Sequence, residues 1–231
     1  MRDRFASDPL PPPRLRARVA GTSSRRAFVE SGERAARTLR EVFEAVRRPG
    51  ASYSRWLDFG CGCGRVARHL ARLPFVAELS GVDVDAEAIA WAASRLPGRY
   101  AAIAPDPPTP LRDACQDVVY AGSVFTHLDE RRQDAWLAEL HRVLRPGGLF
   151  IASTHSPNLI WTRPDVGDDA REILTRRGFL FASGGGSSFN DDGTFHSREY
   201  LLAHWGRAFG LPYFRENGLD GYQDLAVWQK W

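Results

Sequence analysis

Apolar residues recur along the chain at two periods, and the switches between them mark out the elements. Phe28, Ala35, Leu39, Val42 and Phe43 follow a helical spacing, which predicts one or two helices between about Arg25 and Val46. "RRPGASYS" breaks that spacing, and Arg55 to Phe59 reads as a short apolar strand. Val66, Leu70 and Leu73 restore the helical period over Arg65 to Leu73. "FVAELSGVDVD" is a second strand, and "AEAIAWAASRL" a second helix stopped by Pro97 and Gly98. Tyr100 to Ala104 makes a third strand and Asp117 to Ala121 a fourth; residues 129–144 follow as a long amphipathic helix. "RPGG" is then a turn before a fifth strand, Leu149 to Ser153. Ser197 caps a helix through Phe209, and two last strands, near Leu211 to Glu216 and Gln223 to Trp228, flank "NGLDG".

Strands separated by helices at this cadence predict a parallel sheet, because parallel neighbours need crossovers of about a dozen residues or more. The expected fold class is α/β, a doubly wound, mostly parallel seven-stranded sheet with helices on both faces. The connection between the last two strands is short enough only for a hairpin, so the last strand is expected to run antiparallel. Residues 1–50 read as an N-terminal helical extension, a tether followed by a helical lid, with the prolines of "DPLPPPRLR" forbidding helix over residues 1–20. Residues 51–231 form the sheet domain. Within it, residues 155–195 lose regularity around "SGGGSSFNDDG" and are expected to be a loop region that covers the ligand.

Composition narrows the class. A chain of 231 residues, 43% hydrophobic and 11% aromatic, can bury one substantial core. No apolar run approaches the roughly 20 residues that span a bilayer, and the N-terminus lacks the apolar centre of a secretory signal, so no membrane partner is expected and the cytoplasm is the expected location. Cys61, Cys63 and Cys115 are an odd set that suits a reducing compartment better than a disulfide framework. The net charge of +3 comes almost entirely from arginine, with Lys230 the sole lysine. Residues 1–40 hold ten arginines against Asp3, Asp8, Glu30 and Glu33, a local +6 that leaves −3 for the remainder. Charge gathered at one end is not the spread of a nucleic-acid groove, and a solvated helical lead-in is the simpler reading.

The chemistry concentrates in "DFGCGCGRVARHL", residues 58–70. In an open α/β sheet, ligands lie beyond the C-terminal ends of the strands where the strand order reverses, and this first strand-to-helix turn belongs there. Gly60, Gly62 and Gly64 allow a ligand to lie against bare backbone. The dinucleotide pattern G-x-G-x-x-G would need its third glycine at position 65, which is Arg65, and the phosphate loop lacks its lysine. A nucleoside-like ligand without pyrophosphate fits better. Asp83, about 20 residues further on at the end of the second strand, can accept hydrogen bonds from both ribose hydroxyls, while Asp85 suits the cap of the next helix. Cys61, Cys63 and His69 do not have the spacing of a tetrahedral zinc site, and no metal is expected.

These residues resemble the class I S-adenosylmethionine (SAM)-dependent methyltransferases, whose sheet is Rossmann-like. The matching stretches, in order, are "LDFGCGCGRVARHL", "GVDVDAEAIAWA", "PTPLRDACQDVVYAGSVFTHL" and "ELHRVLRPGGLFIAST", from about Trp56 to Thr154. The N-terminal and C-terminal segments are more loosely similar to a bacterial subgroup acting on small molecules. The resemblance implies SAM as cofactor, with Asp58 and the backbone at Gly60 holding its methionine end and Asp83 its ribose. It also places Cys61, Gly62, Gly64 and Val84 at the cofactor, "APDPP" near Asp106 beside adenine, and Ala121 to Ser123 beside the reactive methyl.

Methyl transfer to a small acceptor is then the expected reaction, with oxygen the favoured target atom. In-line displacement depends chiefly on positioning, and a base is needed only where the acceptor must lose a proton. His127 and His155 follow the fourth and fifth strands at the ligand edge, and His127 is the first candidate base. The antiparallel last strand begins at the same edge, bringing Tyr222, Gln223 and Asp224 towards it, and Asp224 is a further candidate. His196 fits a purely structural place before Ser197. Phe179, Phe181, Phe189 and Phe195 are apolar candidates for acceptor contact. Three alternatives remain open: a nucleic-acid or protein methyltransferase, supported only by the N-terminal arginines; an NAD-dependent oxidoreductase, disfavoured by Arg65; and a non-catalytic SAM-binding module. The oligomeric state is not legible in these residues.

Overall fold

The computed structural model describes residues 9–161, 167–183 and 192–231. A seven-stranded sheet runs in the order β3-β2-β1-β4-β5-β9-β8. Its first five strands are β1 (Arg55–Phe59), β2 (Glu78–Asp83), β3 (Arg99–Ala102), β4 (Gln116–Ala121) and β5 (Leu144–Thr154), all parallel to their neighbours. β8 (Gly210–Leu219) and β9 (Gln223–Gln229) form the hairpin, with β9 inserted antiparallel between β5 and β8. The expected antiparallel last strand therefore lies inside the sheet, and β8 takes the edge. The "RPGG" segment expected as a turn is taken into β5, with a register shift against β4.

Successive side chains of a strand point to opposite faces, and both faces here are buried. Trp56, Val118, Tyr120, Leu149, Ile151 and Val227 meet Leu39, Val42 and Phe43 of α2 (Arg25–Val46) on one side. Leu57, Val119, Phe150, Ala152, Ala226 and Trp228 meet Trp136 and Leu140 of α5 (Glu130–Val143), with Trp205, on the other. Strand order reverses between β1 and β4, which puts the first turn at the reversal point.

Two expectations need correction. Residues 13–20 are helical: α1 (Pro13–Ala20) starts on proline, because the first helical position needs no amide hydrogen and favours the φ that proline fixes. Residues 155–195 hold α6 (Asn158–Trp161), α7 (Asp168–Arg177) and a small sheet of β6 (Phe179–Ala182) with β7 (Gly193–His196), around Ile160, Leu174, Leu180 and Phe195. The helix after "GCGCG" is also shorter than its periodicity predicts: α3 spans Ala67–Leu70. Ser197 does cap α8 (Arg198–His204), through a hydrogen bond from the Tyr200 amide. Among the described residues no helix is long and apolar enough to cross a membrane.

Among the described residues, six of the eight arginines up to residue 40 are engaged. Arg18 pairs with Asp85 at 2.6 Å and Glu87 at 3.0 Å, and Arg14 also pairs with Glu87. These contacts pin α1 over the start of α4 (Ala86–Arg95). Arg26, Arg37 and Arg40 pair within α2 with Glu30, Glu33 and Glu44, and the buried Arg16 donates to the carbonyls of Pro11 and Ser23.

Candidate active site

The turn after β1 is fastened to β2. The Gly60 amide donates to the Val82 carbonyl at 2.8 Å, the Cys61 amide to the same oxygen at 3.1 Å, and the Gly62 amide to Asp83 Oδ2 at 2.7 Å. Gly60 has φ +80°, and a Cβ there would stand 2.3 Å from Val124 Cγ2, so both backbone conformation and space demand glycine. At Gly62, with φ +52°, a Cβ would meet Val19 of α1 at 2.6 Å. Beyond the turn opens a cavity of about 1690 Å³, with walls that include the turn, the ends of β1, β2 and β4, α1, and the segment around β7.

Asp58, the next-to-last residue of β1, lies in the floor of this cavity and is only 2% exposed. Its Oδ2 has no hydrogen-bond partner. Burial pushes its carboxyl up to about 7; the Arg65 charge opposes that rise and Asp83 adds to it. Asp83 also lines the cavity, and burial raises its carboxyl too. Its oxygens accept from the Gly62 amide and, at 2.8 Å, from the Asp85 amide, so Asp83 braces the turn while keeping lone pairs for a ligand. Asp85 caps α4, accepting from the Glu87 and Ala88 amides.

The remaining expected residues divide in two. Cys61, Val84 and Ser123 line the cavity; Val84 is 40% exposed, and burial pushes the Cys61 thiol up, which keeps it protonated. Gly64 faces Leu96 instead, where a Cβ would come within 2.2 Å, and the buried Ala121 packs against the α5 side. Neither is in the cavity wall. Asp106 is also outside it, its carboxylate turned to Arg132 at 3.4 Å and Arg131 at 3.6 Å. The apolar wall beside Val84 is built by Ile103, Pro105, Leu128 and Trp136, and the Trp136 indole donates to the Pro105 carbonyl at 3.2 Å.

Across the cavity stand His127 and His155. His127 Nδ1 lies 2.6 Å from the Asp192 carbonyl oxygen. A carbonyl only accepts, so Nδ1 carries the hydrogen and Nε2 keeps the lone pair of the neutral ring. The His155 ring lies between those of Phe195 and Tyr222, at 5.4 and 6.2 Å. Tyr222 and Gln223 line the cavity, and Gln223 joins the Tyr222 hydroxyl to Ser123 Oγ. Asp224 does not reach it: the next residue of a strand points the other way, and its Oδ1 accepts from the Asn217 amide across the hairpin. His196 is buried against Gln133, held neutral by burial that pulls its pKa down to about 3. Of the phenylalanines, Phe195 lines the cavity, Phe179 packs on His196 and Tyr200, Phe181 is half-buried outside the wall, and Phe189 lies outside the described residues.

Residues 57–152 match a family described as Methyltransferase domain. Over that segment the chain is similar to the class I SAM-dependent methyltransferases. A malonyl-[acyl-carrier protein] O-methyltransferase of Hahella chejuensis is 35% identical over 100 residues, covering 42% of this chain and 35% of the relative. A probable SAM-dependent methyltransferase of Mycolicibacterium smegmatis is 34% identical over 146 residues, covering 58% and 53%. The chain thus spans about half or less of the length of these curated relatives. The structure of a SAM-dependent methyltransferase of Methanosarcina mazei superposes with a TM-score of 0.61 at 18% identity, over 82% of this chain and 96% of that one, a likeness of fold.

Two features of the cavity test the fit of SAM. The unpartnered Asp58 oxygen calls for a cationic donor, and the glycine turn leaves a cradle in which side chains would collide. Both suit an adenosyl group carrying an α-amino acid. Sequence reasoning passed over Arg65 and Tyr120, which also line the cavity. The signal for Tyr120 was countable, since it pairs with Asp58 in the β1–β4 register.

Proposed function

We propose that this chain transfers a methyl group from SAM to an oxygen nucleophile of a small acceptor by in-line displacement. One observation carries the reading: a single cavity joins the cofactor-type floor of Asp58, Gly60, Gly62 and Asp83 to a wall holding His127 and His155. SAM supplies the methyl electrophile and its thioether leaving group. Asp58 accepts from the ammonium of the methionine end, Asp83 from the ribose hydroxyls, and Val84, Ile103 and Pro105 flank the adenine. His127, with Nδ1–H committed to Asp192, takes the acceptor proton on Nε2. His155, Phe195 and Tyr222 orient the acceptor and keep water from it. α1 acts as a lid over the glycine turn, held by Arg14 and Arg18.

Oxygen is favoured because a hydroxyl or phenol needs a base and the cavity offers one, and the Hahella relative is named an O-methyltransferase. A small acceptor is favoured over nucleic acid because five of the eight described arginines up to residue 40, Arg14, Arg18, Arg26, Arg37 and Arg40, pair with carboxylates within the fold. The test is a screen of phenols, carboxylic acids and amines with methyl-labelled SAM, comparing wild type with His127→Ala. Label should appear on oxygen, and the variant should lose about 10²–10⁴-fold in kcat with its SAM affinity kept. A fully active variant, or transfer to nitrogen alone, would remove the base and the oxygen assignment together.

A further inference from the structure

The short strand β7 is bonded to both cavity histidines. Backbone amides alternate in direction along a strand, so one edge of β7 pairs with β6 and the other faces the segments that follow β4 and β5. Along that second edge the Asp192 carbonyl stands 2.6 Å from His127 Nδ1, and the Thr194 amide donates to the Thr126 carbonyl at 2.8 Å. The His196 amide donates to the His155 carbonyl, also at 2.8 Å. The Thr194 side chain is buried, and its hydroxyl donates to the Leu128 carbonyl at 2.7 Å. Gln133 of α5 secures the same loop: its Nε2 donates to the Phe125 and Leu128 carbonyls at 3.0 Å each, and its Oε1 accepts from His196 Nε2 at 3.0 Å. The carbonyls of Phe125, Thr126 and Leu128 are thus all held, and His127 lies among them. A neutral imidazole has two tautomers, and a carbonyl beside Nδ1 accepts a bond from only one of them.

We infer that Thr194 is a positioning residue for His127: by bonding to the carbonyls on either side of the histidine, it fixes β7 where the Asp192 carbonyl selects the Nδ1–H tautomer and leaves Nε2 as the proton acceptor. This rests on the reading of His127 as the base. It also makes β7 the shared support of the base and of His155, whose carbonyl and ring it meets through His196 and Phe195.

The experiment is nitrogen-15 spectroscopy of histidine-labelled wild type, Thr194→Val and Thr194→Ser at about pH 8, above the ordinary imidazole range, with His127→Ala to assign the signals. Wild-type His127 should show a hydrogen-bearing Nδ1 and a bare Nε2. Thr194→Val leaves Leu128 its Gln133 donor, so the variant should fold, and its two His127 signals should move towards each other as the ring samples both tautomers. Thr194→Ser keeps the hydroxyl and should restore the wild-type pair. With the phenols of the methyl-label screen, Thr194→Val should lose about 10-fold in kcat at an unchanged KM for SAM. Unchanged His127 signals in Thr194→Val, or a wild-type His127 with its hydrogen on Nε2, overturns the inference and leaves the base reading to the His127→Ala kinetics. A Thr194→Val variant that loses SAM binding as much as turnover also overturns it, since Thr194 would then support the fold at large. A fully active His127→Ala overturns the base reading whatever the tautomer, and Thr194 then positions no catalytic group.

Discussion

Asp58→Asn is expected to raise the melting temperature of the ligand-free protein at pH 8 while weakening SAM binding by about 100-fold, the worth of a charge-assisted hydrogen bond or two. The two effects share one cause. Asp58 is buried with one oxygen unpartnered, and burial holds its carboxyl at about 7, well above the ordinary carboxylate range. The folded state therefore binds a proton at Asp58 that the unfolded state releases over the window from about pH 4 to pH 7. The stability owed to that proton is complete below the unfolded pKa and lost as pH rises through about 7. Asparagine has no charge to bury, so its advantage should be on the order of 2 kcal/mol at pH 8 and should vanish near pH 4. The same substitution removes the anion that would meet the ammonium of SAM. Melts at pH 4 and pH 8 with calorimetry of SAM decide it; a variant less stable at pH 8, or with unchanged SAM affinity, contradicts this account of Asp58.

Gly32→Ala should cost about 3 kcal/mol, or roughly 6–12 °C in melting temperature, despite lying within α2. Helix propensity alone favours alanine by up to about 1 kcal/mol. Packing opposes it more strongly, because the new Cβ would stand 2.1 Å from the Arg65 carbonyl oxygen and 3.1 Å from His69 Cδ2. The oxygen belongs to the backbone that follows Gly64, and it can retreat only by moving the glycine turn. SAM binding should therefore weaken along with stability, as thermal melts and calorimetry on one preparation would show. A more stable variant would mean that α2 does not bear on the turn as closely as this.

These two positions show why parts of the molecule were legible in the sequence and parts were not. β1, β4 and the glycine turn were readable because a fully buried strand is a continuous apolar run, and a turn that must take positive φ needs glycine. α1 was missed because its prolines were read as breakers, although proline at the first helical position starts a helix. α7 was missed because "DDAREILTRR" buries Leu174 alone, which leaves no apolar stripe to find. β6 and β7 span four residues each, too short for a period to register. The order of the last strands, with β9 inside and β8 at the edge, depends on pairing between distant segments.

Within the site the same division holds. Asp58, Gly60, Gly62 and Asp83 sit at a place fixed by topology, and they line one cavity. Asp106 rests on the family resemblance and Asp224 on the start of the antiparallel last strand, and neither says which way a side chain points; each turns to a partner elsewhere, Arg132 and the Asn217 amide. Arg65 entered the sequence reading only as the residue that spoils a dinucleotide pattern, and its contact with Asp220 joins positions far apart in the chain.

The central claim is that this cavity holds SAM, and titration of the purified protein with SAM, S-adenosylhomocysteine and NAD in a calorimeter tests it most directly. Micromolar binding of the first two with no heat from NAD is the predicted result. Binding of NAD, or of neither adenosyl compound, would contradict it.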